Sequence, residues 1–246
     1  METSEYIEAL RREGNLFADA VERTDPAAPV PSCPDWQVRD LAAHLGSMQR
    51  WARANMAERR QKIERPEGAP EMSDKELVPW LREGLGLLLE TLTTAPADLD
   101  CCTFLPAPSP LDFWARRQAQ EVSMHRVDAE QAGGIPLSPV DPAFAADGID
   151  ELLTGFYPRG NRPLYTEAPR TLRVHATDVP GATWTIDLQD PTRTARTAQP
   201  AGEADCDLAG PAAELNLVLW NRLPLNTVNI TGDTTLAPLW ANVFSP

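Results

Sequence analysis

Two histidines and one glutamate carry the clearest chemistry in this chain of 246 residues. They are His44, in Asp-Leu-Ala-Ala-His-Leu, and the pair Glu121 and His125, in Gln-Glu-Val-Ser-Met-His-Arg-Val-Asp-Ala-Glu. Side chains four positions apart on a helix of 3.6 residues per turn project from nearly one face, so the spacing puts Glu121 and His125 one turn apart on the same side. Two imidazoles and a carboxylate meeting at one point can hold a divalent metal, and three protein ligands leave positions open for water or a substrate atom. Plainer uses exist for each residue. His44 alone reads as a core-facing histidine bonded to a carbonyl, and Glu121 with His125 as a solvent-facing helix pair. Against the second reading, Glu121 shares a stripe with Trp114 and Gln118, and a carboxylate near an apolar interior needs a partner or a metal. Asp128, three residues after His125, either accepts from the other imidazole nitrogen, the usual support of a metal-bound histidine, or pairs with Arg126 or Arg117 on the surface.

The elements that must position these residues follow from hydrophobic spacing. Residues 3–23 carry Tyr6, Ile7, Leu10, Phe17 and Val21 at helical intervals, and Pro26, Pro29, Pro31 and Pro34 then hold the chain extended. A second helix is expected from an N-cap at Asp35 to about residue 60, with Val38, Leu41, Leu45, Met48 and Ala52 as its apolar stripe and His44 turned toward the interior. A third runs from Ser73 or Asp74 to Pro96, and a fourth from about Leu111 to Ala132, leaving at Gly133-Gly134. Four such helices with no strand pattern between them predict an antiparallel bundle. Beyond Pro136, Pro139 and Pro142 the character changes. Residues 143–157 still read as helix, whereas Leu172-Arg-Val-His-Ala-Thr and Ala182-Thr-Trp-Thr-Ile-Asp-Leu flank a Pro180-Gly181 turn as a hairpin. Cys206-Asp-Leu continues the sheet, Pro211 opens a helix through Arg222, residues 226–231 form another strand, and a last helix starts near Thr234. His175, in a predicted strand, reads as structural.

Composition narrows the partners. There are 36 acidic and 22 basic residues, a net charge of −14, with no basic run to follow a phosphate backbone, which argues against nucleic acid and anionic membranes. No stretch approaches the roughly 18 apolar residues of a membrane span, and the N-terminus lacks the form of a signal peptide, so a cytoplasmic protein is expected. Cys33, Cys101, Cys102 and Cys206 are too scattered for a disulfide framework or zinc ribbon. Cys33, just before Pro34, reads either as a packing residue at a helix entrance or as a reactive thiol near His44.

The segment Ser32-Cys-Pro-Asp-Trp-Gln-Val-Arg-Asp-Leu-Ala-Ala-His-Leu-Gly, with Trp114-Ala-Arg-Arg-Gln-Ala-Gln-Glu-Val-Ser-Met-His-Arg-Val-Asp-Ala-Glu, resembles the mycothiol-dependent maleylpyruvate isomerase family. Val174-His-Ala-Thr-Asp, Gly210-Pro-Ala-Ala-Glu-Leu-Asn-Leu-Val-Leu-Trp-Asn-Arg-Leu-Pro and Ile230-Thr-Gly-Asp resemble its C-terminal domain, so the likeness spans essentially the whole chain. The resemblance implies an α+β protein: a DinB-like antiparallel four-helix bundle over residues 1–140, then a small α+β domain resembling sterol-carrier folds over 141–246. It implies His44, Glu121 and His125 as metal ligands, zinc as the first expected ion, mycothiol as cofactor, and Arg222 as a catalytic cation. A helix-end role for Arg222, charge on the C-terminal carbonyls, stands beside that one. The implied partners are a low-molecular-weight thiol and a small electrophile, with cis–trans isomerisation as prototype and thiol S-transfer as a variant. A metal- or ligand-binding protein without turnover, or a metal hydrolase with a general base beside the ion, are the alternatives. The acidic balance works against an anionic substrate unless Arg222, Arg116 or Arg117 makes a local basic patch.

Overall fold

The computed structural model describes the chain apart from residues 97, 160–165, 198–201 and 243–246. It divides into two compact units, Met1–Ser138 and Pro139–Pro246. The first contains helices α1 (Thr3–Arg23), α2 (Val38–Ala57), α3 (Asp74–Thr94) and α4 (Pro110–Ala132), each near 20 residues long. Helix α1 packs against α3 and α4, and α2 likewise against α3 and α4, closing a four-helix ring. His44 faces Glu121 and Trp51 faces Trp114, so numbering rises along α2 as it falls along α4, and these two helices run antiparallel. The stripes read from spacing are the buried ones: Leu10, Phe17 and Val21 on α1, Leu41 and Leu45 on α2, and Leu81, Leu85, Leu88 and Leu92 on α3. Helix α4 is buried around most of its circumference, and its fully buried Arg126 lies between Glu13 of α1 (2.9 Å) and Glu130 (2.6 Å).

The entrance to α2 corrects the sequence expectation. Asp35 is not its cap. Residues 29–37 form a small antiparallel ribbon, β1 (Pro29–Val30) and β2 (Cys33–Gln37), so strand structure does interrupt the helices. The prolines that keep this stretch extended also leave it able to pair with itself, and Asp35 is used up inside β2. Gln37 caps α2 instead, in a reciprocal box with Asp40, whose carboxylate accepts from the Gln37 N–H at 2.9 Å. Ser73 with Glu76 caps α3 in the same manner, and Ser109 with Pro110 at the first helical position opens α4.

In the second unit, α5 (Pro142–Asp150) runs on into a π-helical turn over Glu151–Phe156 and a short 3-10 turn. The sheet comprises β3 (Thr171–Ala176), β4 (Thr183–Asp187), β5 (Ala195–Thr197), β6 (Cys206–Gly210) and β7 (Asn229–Gly232), ordered β5-β4-β3-β6-β7. Among the described residues, only β3 and β6 pair in parallel. Alternation along β3 buries Leu172, Val174 and Ala176 on one face, beside Cys206 and Leu208 of β6, and α5 and α6 (Ala212–Leu219) complete that core with Ile149, Leu215 and Leu219. Helix α6 stops three residues before Arg222. Asn221 takes a left-handed φ of 59°, and the N–H groups of Asn221 and Arg222 donate to Val218 (3.0 Å) and Leu217 (2.7 Å), a Schellman exit. The expected final helix is a 3-10 stretch over Ala237–Asn242, and the short strand β5 had no signal in the sequence.

Candidate metal centre

His44 of α2 meets Glu121 and His125 of α4 within the first unit. Nε2 of His44 lies 3.5 Å and Nε2 of His125 3.4 Å from the same atom, Oε1 of Glu121. One donor atom from each of the three residues falls within 4.8 Å of the others, the one such cluster among the described residues. Zinc bonds to nitrogen and oxygen of about 2.0–2.2 Å set tetrahedral donors roughly 3.3–3.5 Å apart, so the two glutamate–imidazole separations suit an ion among them. The donor chemistry fits as well: two imidazoles that can be neutral and a carboxylate are among the nitrogen and oxygen ligands that zinc takes.

Two of the three side chains, His125 and Glu121, are held from behind. Nδ1 of His125 is 2.9 Å from Oδ2 of Asp128, which directs Nε2 toward the cluster, and Asp128 is fully buried. The other oxygen of Asp128 accepts from the Ser32 hydroxyl at 2.6 Å, and Ser32 sits in the turn between β1 and β2. Of the two sequence readings of Asp128, the one that pairs it with His125 is the geometry found. Arg126 is engaged with Glu13 and Glu130, and Arg117 pairs with Glu121, contacting Oε2 through Nη2. Trp36 of β2 lies with its ring centroid 4.9 Å from His44 and 6.5 Å from His125, and the two imidazoles meet edge-on at 5.2 Å. The ribbon that displaced Asp35 therefore brings Ser32 and Trp36 to the cluster.

Electrostatics follow from this packing. Burial alone would raise the Glu121 carboxyl, but the Arg117 guanidinium and hydrogen bonds from both imidazoles outweigh it and hold the group well below the usual carboxylate range. Burial would lower His125, yet its bonds to Asp128 and Glu121 push it up to about 9.

Ser32, Trp36 and Arg117 were missing from the ligand set read from sequence. Arg117 had a signal: residues 117, 121, 125 and 128 repeat at helical intervals along one face of α4. Ser32 and Trp36 gave none, since their approach depends on the ribbon. Cys33 is half-buried, and none of the four cysteines forms a disulfide. His175 bonds Thr183 Oγ1 through Nδ1 at 2.9 Å inside the second unit. Arg222, in that same unit, donates from Nη1 to the Trp220 carbonyl at 2.8 Å.

A helical unit bearing a His–Glu–His cluster, joined to a small α+β unit, defines the class of protein. Residues 7–130 match the mycothiol maleylpyruvate isomerase N-terminal domain, and residues 143–239 match the MDMPI C-terminal domain. The chain belongs to the mycothiol maleylpyruvate isomerase family. Two solved structures share its fold: the mycothiol-dependent maleylpyruvate isomerase, at TM-score 0.65, and a histidine-to-alanine mutant of it, at 0.64. Each is 14% identical and aligns over 94% of this chain and 93% of its own. Among curated proteins, no match was found. No helix among the described residues is long and apolar enough to cross a membrane.

Proposed function

We propose that this protein is a divalent-metal- and mycothiol-dependent isomerase of small conjugated cis-acids of the maleylpyruvate type, with His44, Glu121 and His125 as metal ligands. The observation that carries the reading is the convergence of two imidazole Nε2 atoms on one oxygen of Glu121 within the half of the chain that matches the family's N-terminal domain. When bound, the ion would favour thiolate over thiol near neutral pH, and the thiolate would supply reversible addition to an activated double bond, which frees that carbon–carbon bond to rotate.

The chain's own residues supply position and charge. Asp128 fixes the tautomer and direction of His125, and Ser32 in turn fixes Asp128. Trp36 gives the imidazoles an apolar flank. To Arg222 the reading assigns the negative charge that develops on the substrate carbonyl. Hydrolysis by a bound water is less well supported, because it needs a general base. Glu121 is engaged by Arg117 and both imidazoles, and Asp128 by His125 and Ser32.

Incubation of metal-loaded protein with mycothiol and maleylpyruvate, followed by proton NMR of the vinylic signals, tests the proposal. Conversion of cis to trans acid that requires both metal and thiol is the expected result. Consumption of thiol into a stable adduct would instead make the protein an S-transferase, and thiol binding without turnover would make it a binding protein.

A further inference from the structure

Arg117 is nearly buried, with 7% of its side chain exposed, and it stands one turn before Glu121 on α4. Exposed pairs at this spacing contribute little, but a buried guanidinium must be matched by charge and hydrogen bonds. Its Nη2 takes Oε2 of Glu121, while Oε1 of the same carboxylate faces both imidazoles. The two oxygens of one ligand therefore have separate tasks. A carboxylate with both oxygens available can chelate an ion through the pair and occupy two coordination positions. One whose second oxygen is held by a cation donates through a single atom.

We infer that Arg117 is a positioning residue: by holding Oε2 it restricts Glu121 to one donor atom and so keeps a coordination position open for the sulfur of the thiol. The inference rests on the metal reading above and extends it to a residue outside the ligand set. It differs from a purely structural role in one consequence. Loss of a structural support weakens metal retention, whereas loss of this restraint leaves the ion held and blocks the thiol.

Cobalt(II) reports both. The test loads wild type, Arg117→Met and Arg117→Lys with cobalt, records the visible d–d bands, and titrates mercaptoethanol while following the thiolate-to-cobalt charge-transfer band. In Arg117→Met the d–d bands should weaken, as they do when coordination number rises. Metal retention against a chelator should be unreduced, and the mercaptoethanol concentration at half-saturation should rise about tenfold or more. Arg117→Lys, which keeps a cation on Oε2, should restore most of the wild-type spectrum and titration. Wild-type spectra and thiol titration in Arg117→Met would overturn the inference and leave the metal reading standing. Weakened cobalt retention with unchanged thiol titration would overturn it in favour of structural support. Failure of the wild type to take up cobalt at all would overturn both.

Discussion

His44 and His125 approach the same oxygen of Glu121, at 3.5 and 3.4 Å. Replacing either with alanine should cut metal content several-fold or more by elemental analysis while the circular dichroism of the bundle is retained. Asp128 acts through His125, so Asp128→Asn should weaken metal affinity by about 10- to 100-fold in a chelator competition, with all three ligands still present. Arg222→Ala should leave metal content intact and lower kcat by about 100-fold, the usual scale for losing a group that stabilises developing negative charge. Unchanged kcat would return Arg222 to its hydrogen bond with the Trp220 carbonyl at the end of α6.

At the scale of elements, the site depends on how α4 is seated. Arg126 joins α4 to α1 through Glu13, and both charges lie entirely inside the bundle. Arg126→Met should destabilise the protein by about 3–5 kcal/mol in urea unfolding, because it removes the buried cation between two buried carboxylates and leaves Glu13 with Arg12 and Glu130 with Ser138 alone. The four long helices were legible from spacing alone, since Leu10, Leu45, Leu88 and their companions recur every three or four residues and the structure buries them. The ribbon at residues 29–37 was not. Proline-rich extended chain looks the same whether it pairs with itself or runs free, so the arrival of Trp36 and Ser32 beside the histidines depended on a pairing that spacing does not encode. The end of α6 was overrun for a related reason: Asn221 stops the helix through a left-handed backbone, and asparagine is a weaker stop signal than glycine.

At the scale of the whole molecule, the second unit has a core of its own and a test of its own. In the second unit, Asp205 accepts from the Thr171 N–H at 2.8 Å and pairs with Arg170, and these contacts lower its carboxyl below the usual value. A depressed folded value means that the stabilisation is present above the unfolded pKa and lost as pH falls through the folded one. The difference in melting temperature between wild type and Asp205→Asn should thus be constant near neutral pH and close in acid below about pH 4. An unchanging difference would show that the pairing adds nothing. The proposed ligand set, His44, Glu121 and His125, by contrast, lies wholly in the first unit. The net charge of −14 does not oppose a cation there, and the Arg117 charge at the site is paired with Glu121. The most direct test of the account is calorimetric titration of mycothiol into the full-length protein, metal-loaded and chelator-treated, with the metal measured in each sample. About one divalent ion per chain, with mycothiol binding only when that ion is present, is the predicted result. Equal binding in both samples, or no metal taken up at all, would contradict it.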